Sequence, residues 1–255
     1  MKRVIPALLA LIYATSAIAA AAEPTCAEAR YLRLVDKQHG LPANEVPNTL
    51  VLLAAFDVPV LGSPWLEIDY QTALAYEQMV QAARAEGHIL LAVSGYRSYL
   101  EQRYVFNRWV QWEMEKAESE GVPIDEATAA ERANRYSALP GHSEHQLGTA
   151  IDVSTREISG ALTIDLMFTD AGKWLMKHAH EHGFVISYPP HKEHLTDFNA
   201  EPWHLRYIGK RAAQELFDLK YLEAETSVTL NRYLMQFALP ECKEKIWRPW
   251  RLLEE

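Results

Sequence analysis

The pattern of hydrophobic and polar positions along the chain predicts both helices and strands. Apolar residues at helical spacing predict four helices: 68–87, 98–118, a shorter one between Pro123 and Pro140, and 169–183. Short continuous apolar runs predict four buried strands: 88–96, 149–155, 184–189 and 201–209. Because several of these strands follow one another closely, the order favours the α+β class over a doubly wound sheet. No shift in composition marks a second domain.

The first residues have the composition of a secretory signal peptide. Lys2 and Arg3 precede an apolar run at 4–13, and the small residues at 17–22 fit the A-x-A cleavage pattern twice. That run is shorter than the roughly 20 residues needed to cross a bilayer, although a retained N-terminal anchor is the alternative. We therefore expect an exported protein (periplasmic, cell-envelope or secreted) with no transmembrane span in its mature chain.

The chain is predicted to have three segments. A signal peptide occupies 1–22, an N-terminal lead-in packed on the core occupies 23–66, and the main domain with its C-terminal helices occupies 67–255. Four prolines interrupt any long helix in the lead-in, and its apolar stretch 49–56 is expected to anchor it.

Charge and cysteine content narrow the possible partners and the compartment. Removing the first 22 residues leaves 23 basic against 34 acidic residues, a net charge of about −11, which argues against nucleic acid or an anionic membrane as a partner. Cys26 and Cys242 lie near opposite ends of the mature chain. In an oxidising compartment they are expected to form a disulfide, with two separate buried thiols as the alternative. The sequence gives no indication of oligomeric state.

The stretch GHSEHQLGTAIDVS, at 141–154, poses an electrostatic question. Asp152 lies between two β-branched apolar residues, where a carboxylate is costly to bury without a positive partner. His145 precedes it by seven residues, and His204 follows in the run EPWHLR. Two imidazoles and a carboxylate form a typical catalytic zinc set with one open position. Glu201 would then be placed to act as general base.

Spacing alone does not establish this zinc site. Backbone N–H groups, or an arginine such as Arg97 or Arg135, would satisfy Asp152 equally well.

The longer strings resemble the VanY-type zinc D-alanyl-D-alanine carboxypeptidases. SEHQLGTAID, EPWHLRYIG and the upstream SGYRSYLEQ match three family motifs in the same order, and GFVISYPP is similar to the segment before the last one. The matching residues are Gly95, Tyr96, Arg97, Ser98, Tyr99, Gln102, Ser143, His145, Gly148, Ala150, Asp152, Glu201, Trp203 and His204. The likeness extends from about Leu34 to Lys210.

The resemblance implies a fold, a reaction and a role for each residue. The fold would be a mainly antiparallel sheet flanked by helices, with the metal at the sheet's open face. His145, Asp152 and His204 would bind Zn²⁺, and Glu201 would be the catalytic base of a zinc-activated water. Arg97 would stabilise the oxyanion or hold a substrate carboxylate. The other predicted substrate-binding residues are Gln102 and Ser143. The substrate would be a peptidoglycan stem peptide, cleaved at its terminal D-amino-acid amide.

Several alternatives stay open within and beyond this chemistry. The same site would serve an LD-carboxypeptidase, a D-Ala-D-Ala dipeptidase or an endopeptidase, and a non-catalytic wall-binding relative would keep the fold. The chain departs from the family at HKEHLTDFNA, where Asp197 replaces a usual glycine and puts the shape of the substrate rim in doubt. His178 and His182, four residues apart, have a zinc-compatible spacing but are expected on a solvated helix face.

Overall fold

The computed structural model describes residues 26–236. The predicted signal peptide lies outside this range, as does Cys242, so cleavage and the disulfide stay predictions. Within 26–236, no helix combines the length and the apolar composition that a membrane span requires.

Four strands form one antiparallel sheet. In spatial order they are β3 (Leu90–Ser94), β4 (Ala150–Thr155), β6 (Glu201–Tyr207) and β5 (Phe184–Tyr188). Each coincides with one of the four predicted apolar runs, and every neighbouring pair is antiparallel. Together with the helices that surround the sheet, this confirms the predicted α+β class and the single domain.

The helices include all four that hydrophobic spacing predicts. Those are α2 (Tyr70–Ala85), α3 (Tyr99–Ser119), α4 (Glu126–Ala133) and α5 (Asp170–His178). The others are α1 (Cys26–Ala29), α6 (Glu193–Thr196), α7 (Lys210–Asp218) and α8 (Leu230–Met235). Helix α5 ends earlier than predicted, because a 3₁₀ turn at Ala179–His182 completes the segment up to Gly183.

The two faces of the sheet have different environments. Strand alternation points Ile151, Val153 and Leu205 to one face, where they form the main core with α2 and α5. Asp152 and His204 therefore point to the opposite face. Part of that second face is covered, because Val185 packs there against α7 and α8.

The lead-in is built into the domain through a small sheet. Strand β1 (Leu50–Leu52) pairs antiparallel with β2 (Glu67–Asp69), and Leu53 is fully buried in the main core. Within the apolar stretch 49–56, Leu53 is the residue that is buried.

Asp69 joins the lead-in to helix α2. Its buried carboxylate accepts hydrogen bonds from the backbone N–H groups of Gln71 and Thr72, both at 3.1 Å, and from the hydroxyls of Tyr31 and Thr49. Asp69→Ala is expected to lower the free energy of unfolding by about 2–4 kcal/mol, since it removes a helix cap and leaves buried donors unsatisfied. Urea denaturation measures this loss. Asp125→Ala, which removes the exposed cap of α4, is the matched control and should cost less; an equal loss would contradict the assigned role.

Candidate metal centre

The two central strands bring Asp152 and His204 together. Asp152 in β4 is the cross-strand partner of His204 in β6, and Ser94 in β3 is the partner of Asp152 on its other side. These three residues form a row across the sheet. Residues that are 52 positions apart in sequence therefore become neighbours because of strand register.

A short turn carries His145 into the same place. Residues Glu144–Leu147 form a 3₁₀ turn. The Ser143 hydroxyl caps this turn, because it accepts a hydrogen bond from the His145 backbone N–H at 3.4 Å. Gly148 ends the turn with φ +69°, a left-handed conformation that glycine adopts without strain. The chain then enters β4, so His145 lies over Asp152.

The three side chains fit a single zinc ion. His145 Nε2 is 3.3 Å from Asp152 Oδ2, and His204 Nδ1 is 3.1 Å from Asp152 Oδ1. Tetrahedral ligands at zinc-bond lengths lie about 3.3–3.5 Å apart. One ligand atom from each residue lies within 4.8 Å of the others, and all three residues are buried. The donor set therefore fits zinc in chemical type, and its atoms are close enough to share one ion.

Hydrogen bonds fix which nitrogen of each histidine faces this point. His145 Nδ1 donates to the Gly95 carbonyl at 2.6 Å, which leaves Nε2 free as a ligand. His204 does the reverse, because its Nε2 donates to Glu144 Oε2 at 2.9 Å and Nδ1 faces Asp152. Gly95 is needed for a different contact, since a Cβ there would lie 2.4 Å from the Glu67 carbonyl oxygen.

The charges around Asp152 answer the question that its sequence context raised. Burial opposes its ionisation, but His145 and His204 outweigh that effect and hold the pKa of the Asp152 carboxyl well below its usual range. Arg97 Nη2 adds a positive charge at 3.9 Å. Burial also opposes a charged His204, yet hydrogen bonds with Asp152 and Glu144 raise its pKa to about 10. A bound metal ion would replace the Nδ1 proton.

Arg97 is held in the site by Gln102. Arg97 Nη1 donates to Gln102 Oε1 at 2.7 Å, and the other end of that buried amide donates to the Ala138 carbonyl at 2.6 Å. Arg97 Nη2 also donates to the Ser94 hydroxyl at 3.3 Å. The Gln102 side chain thus has protein partners at both ends, which supports a role in orienting Arg97 more than direct contact with substrate.

Glu201 begins β6, opposite Tyr188 of β5. Burial raises the pKa of Glu201 to about 8, the charges of Asp152 and Glu144 act in the same direction, and His204 and Arg97 partly offset them. A carboxyl group with a pKa in this range is suited to exchange protons near neutral pH.

Comparison with known proteins decides the family. The model of the VanY family, D-alanyl-D-alanine carboxypeptidase, matches residues 66–210, more than half of the chain. This chain belongs to the VanY family. It is 39% identical over 190 residues to the putative carboxypeptidase YodJ of Bacillus subtilis (strain 168), covering 73% of this chain and 63% of that relative. The chain thus spans less than two thirds of that relative's length.

Two solved structures show the same VanY-type fold. The LdcB LD-carboxypeptidase, described with its basis of peptidoglycan recognition, aligns with a TM-score of 0.68 and 36% identity over 82% of this chain and 87% of that chain. The VanY D,D-pentapeptidase from a VanB-type resistance cassette, solved as a mutant in complex with Zn(II), aligns with a TM-score of 0.62 and 29% identity. That alignment covers 80% of this chain and 99% of the other.

The rim where this chain departs from the VanY-family pattern keeps the backbone shape that glycine would allow. Asp197 follows α6 with φ +60°, in the left-handed region that aspartate tolerates better than most residues. Asp197 therefore adopts the left-handed conformation that the sequence put in doubt, and it adds a carboxylate at this turn.

His178 and His182 lie outside the cluster of the three candidate ligands. His178 stacks on Trp174 with ring centroids 5.0 Å apart and contacts Glu181 at 3.0 Å. His182 lies 6.3 Å from the same indole ring. Neither belongs to a metal-type cluster among the described residues, and both are half-buried rather than fully exposed to solvent.

Sequence reasoning missed three residues of a polar network that ends on His204. Glu144, Ser187 and Arg206 are buried and form a connected polar network with this histidine. Two of them adjoin predicted ligands or motifs: Glu144 precedes His145, and Arg206 lies two residues after His204 and therefore on the same face of β6. That period-two spacing was the available signal.

Proposed function

We propose that this chain is an exported zinc carboxypeptidase that hydrolyses the terminal D-amino-acid amide of peptidoglycan stem peptides. The observation that carries the proposal is the convergence of His145, Asp152 and His204, with Arg97 3.9 Å from Asp152. Membership of the VanY family and the Zn(II) complex of a VanY neighbour support it. Export rests on the N-terminal sequence. It would be supported if protein from the cell envelope had the intact mass of a chain cleaved after residue 19 or residue 22.

The three ligands would hold zinc through His145 Nε2, a carboxylate oxygen of Asp152 and His204 Nδ1. Bound zinc would supply Lewis acidity, polarising the scissile carbonyl and lowering the pKa of water. The protein would contribute burial and two fixed imidazole orientations, so the ligands need little rearrangement.

Glu201 would carry the protons of the reaction. As a carboxylate, it would accept a proton from the attacking water, and the same oxygen would later deliver a proton to the leaving amine. The C–N bond of the terminal amide breaks as the water oxygen bonds to the carbonyl carbon. The products are the shortened peptide and a free D-amino acid.

Arg97 would supply positive charge to the substrate. Its guanidinium is oriented by Gln102 and Ser94, since each of these side chains accepts a hydrogen bond from one of the two terminal nitrogens. The remaining N–H groups would bind either the developing oxyanion or the substrate's terminal carboxylate. Ser143 caps the turn that carries His145, so we propose that it shapes the substrate site mainly through that turn.

The pH dependence of kcat/KM is expected to follow Glu201. Because the base must be deprotonated, kcat/KM should rise about tenfold per pH unit below the pKa of Glu201 and then level off. Zinc nearby lowers this pKa, so the rise is expected below about pH 8. Initial rates on a defined stem peptide measure the profile. A kcat/KM that is constant between about pH 5 and 8 would argue against Glu201 as the base.

Two substrate classes compete within this proposal. The VanY neighbour is a D,D-pentapeptidase, whereas the LdcB neighbour, with the higher TM-score and identity, is an LD-carboxypeptidase. The latter comparison favours tetrapeptide stems cut at an LD bond as the second candidate function. A dipeptidase or an endopeptidase would use the same site residues.

A digest of defined muropeptides tests the function. We expect the purified zinc-loaded chain to remove one terminal D-alanine from a pentapeptide or a tetrapeptide stem, as seen by mass spectrometry. A chelator should stop this release, and added zinc should restore it. Release from pentapeptide alone supports DD specificity, and release from tetrapeptide alone supports LD specificity. If zinc-loaded protein releases nothing from either stem, from cross-linked peptides or from free D-Ala-D-Ala, the proposed function is wrong.

A further inference from the structure

A buried carboxylate contacts Nε2 of the His204 ring, whereas Nδ1 of the same ring faces Asp152. Glu144 is 1% exposed and accepts hydrogen bonds from His204 Nε2 at 2.9 Å, from the Ser187 hydroxyl at 2.6 Å and from Arg206 Nη1 at 3.0 Å. Three donors, one of them the guanidinium of Arg206, converge on the two oxygens of this side chain, which is the arrangement that a carboxylate accepts.

The lead-in holds the other end of this network. Arg206 is fully buried, and its Nη2 donates to the backbone carbonyls of Tyr31 at 3.1 Å and Arg33 at 3.0 Å. Both carbonyls precede residue 66, where the match to the VanY family begins. A chain of hydrogen bonds thus runs from the lead-in backbone through Arg206 and Glu144 to His204.

The two histidines differ in what supports them. His145 donates to a neutral backbone carbonyl, whereas His204 donates to a carboxylate. A carboxylate that accepts the second N–H of a ligating imidazole fixes its tautomer and its ring orientation, and it raises the basicity of the other nitrogen. His204 Nδ1 should therefore be a stronger zinc ligand than His145 Nε2.

We propose that Glu144 is a positioning residue for zinc binding, which directs His204 Nδ1 to the metal and is itself held by Arg206 and the lead-in. The inference rests on the proposed zinc site. It extends the functional site beyond the matched family segment, to the backbone of residues 31–33.

Zinc affinity, measured by competition with a chromophoric chelator, tests the role of Glu144. Glu144→Gln keeps the shape but removes the charge, and it is expected to weaken zinc binding about 10–100-fold. Glu118→Gln is the matched control, since it makes the same change at an exposed glutamate of α3. The control should change zinc affinity by less than about threefold.

A double variant separates positioning from folding. Glu144→Gln leaves Arg206 buried without its charged partner, which alone would destabilise the protein. Glu144→Gln combined with Arg206→Met removes that unpaired charge. We expect the urea midpoint of the zinc-free protein to recover toward the wild-type value while zinc binding stays at least about tenfold weaker.

Two results would overturn the positioning role. One is zinc affinity of Glu144→Gln within about threefold of wild type, and the other is full recovery of zinc affinity in the double variant. Failure of the proposed function is a separate outcome, because a chain that binds zinc without cleaving any stem peptide would still show the effect of Glu144. A wild-type chain that does not bind zinc would overturn both proposals.

Discussion

Glu201→Ala is expected to lower kcat on a defined stem peptide by about 10²–10⁴-fold while one zinc per chain stays bound. The carboxylate would carry a proton in both halves of the reaction, so its loss removes acid–base assistance twice. It is not among the three residues whose ligand atoms converge, so zinc affinity should change little. Single-turnover rates together with metal analysis of the same sample measure both quantities.

Two further variants sharpen the test of Glu201. Glu201→Gln keeps the shape of the side chain and should be as impaired as the alanine variant, because an amide does not accept the proton. Glu118→Gln changes an exposed glutamate of α3 and should keep the wild-type rate. Near-normal turnover by Glu201→Gln would remove Glu201 from the mechanism. Loss of zinc from both Glu201 variants would instead make it a ligand.

His204→Ala is expected to abolish stoichiometric zinc binding and to lower kcat/KM by about 10³-fold or more, since a Lewis acid contributes several kcal/mol to such reactions. The variant removes one of three ligand atoms and also leaves Glu144 without its imidazole partner. Zinc content after dialysis and the rate on a stem peptide are the two measurements.

The chain supplies a matched histidine control for this experiment. His178→Ala removes an imidazole that stacks on Trp174 and lies outside the cluster, and it should keep both zinc and activity. Equal loss in the two histidine variants would show that the effect is structural. Full zinc occupancy in His204→Ala would mean that this residue is not a ligand.

The sequence predicted those parts of the fold that depend on local periodicity. Apolar runs located all four strands of the sheet, and helical spacing located α2 and α3 nearly to their ends. Helix α5 was overextended, because Gly183 correctly marks the end of the segment but a 3₁₀ turn occupies its last residues. The hydrophobic pattern does not show where an α-helix changes to a 3₁₀ turn near its end.

Motif resemblance supplied the metal-ligand candidates, and strand pairing explains why they meet. The pairing of Asp152 with His204 depends on register between β4 and β6, which no local pattern states. The resemblance placed Gln102 at the substrate site, and the contacts of its amide with Arg97 and the Ala138 carbonyl are a further pairing that no local pattern states.

Apart from the period-two spacing of Arg206, the support of His204 had no local signal, because its members come from four separate segments. Glu144 lies in the turn before β4, Ser187 in β5 and Arg206 in β6, and the carbonyls of Tyr31 and Arg33 lie in the lead-in. A glutamate next to a motif histidine looks like an ordinary polar turn residue. Only the folded arrangement shows that its carboxylate is buried against the imidazole.

The most direct test is an anomalous difference map at the zinc absorption edge from crystals of the zinc-loaded protein. We predict one strong peak within about 2.0–2.2 Å of His145 Nε2, Asp152 and His204 Nδ1. A peak at the His178 and His182 surface instead, or no peak among these three ligands in protein that contains stoichiometric zinc, would contradict the account.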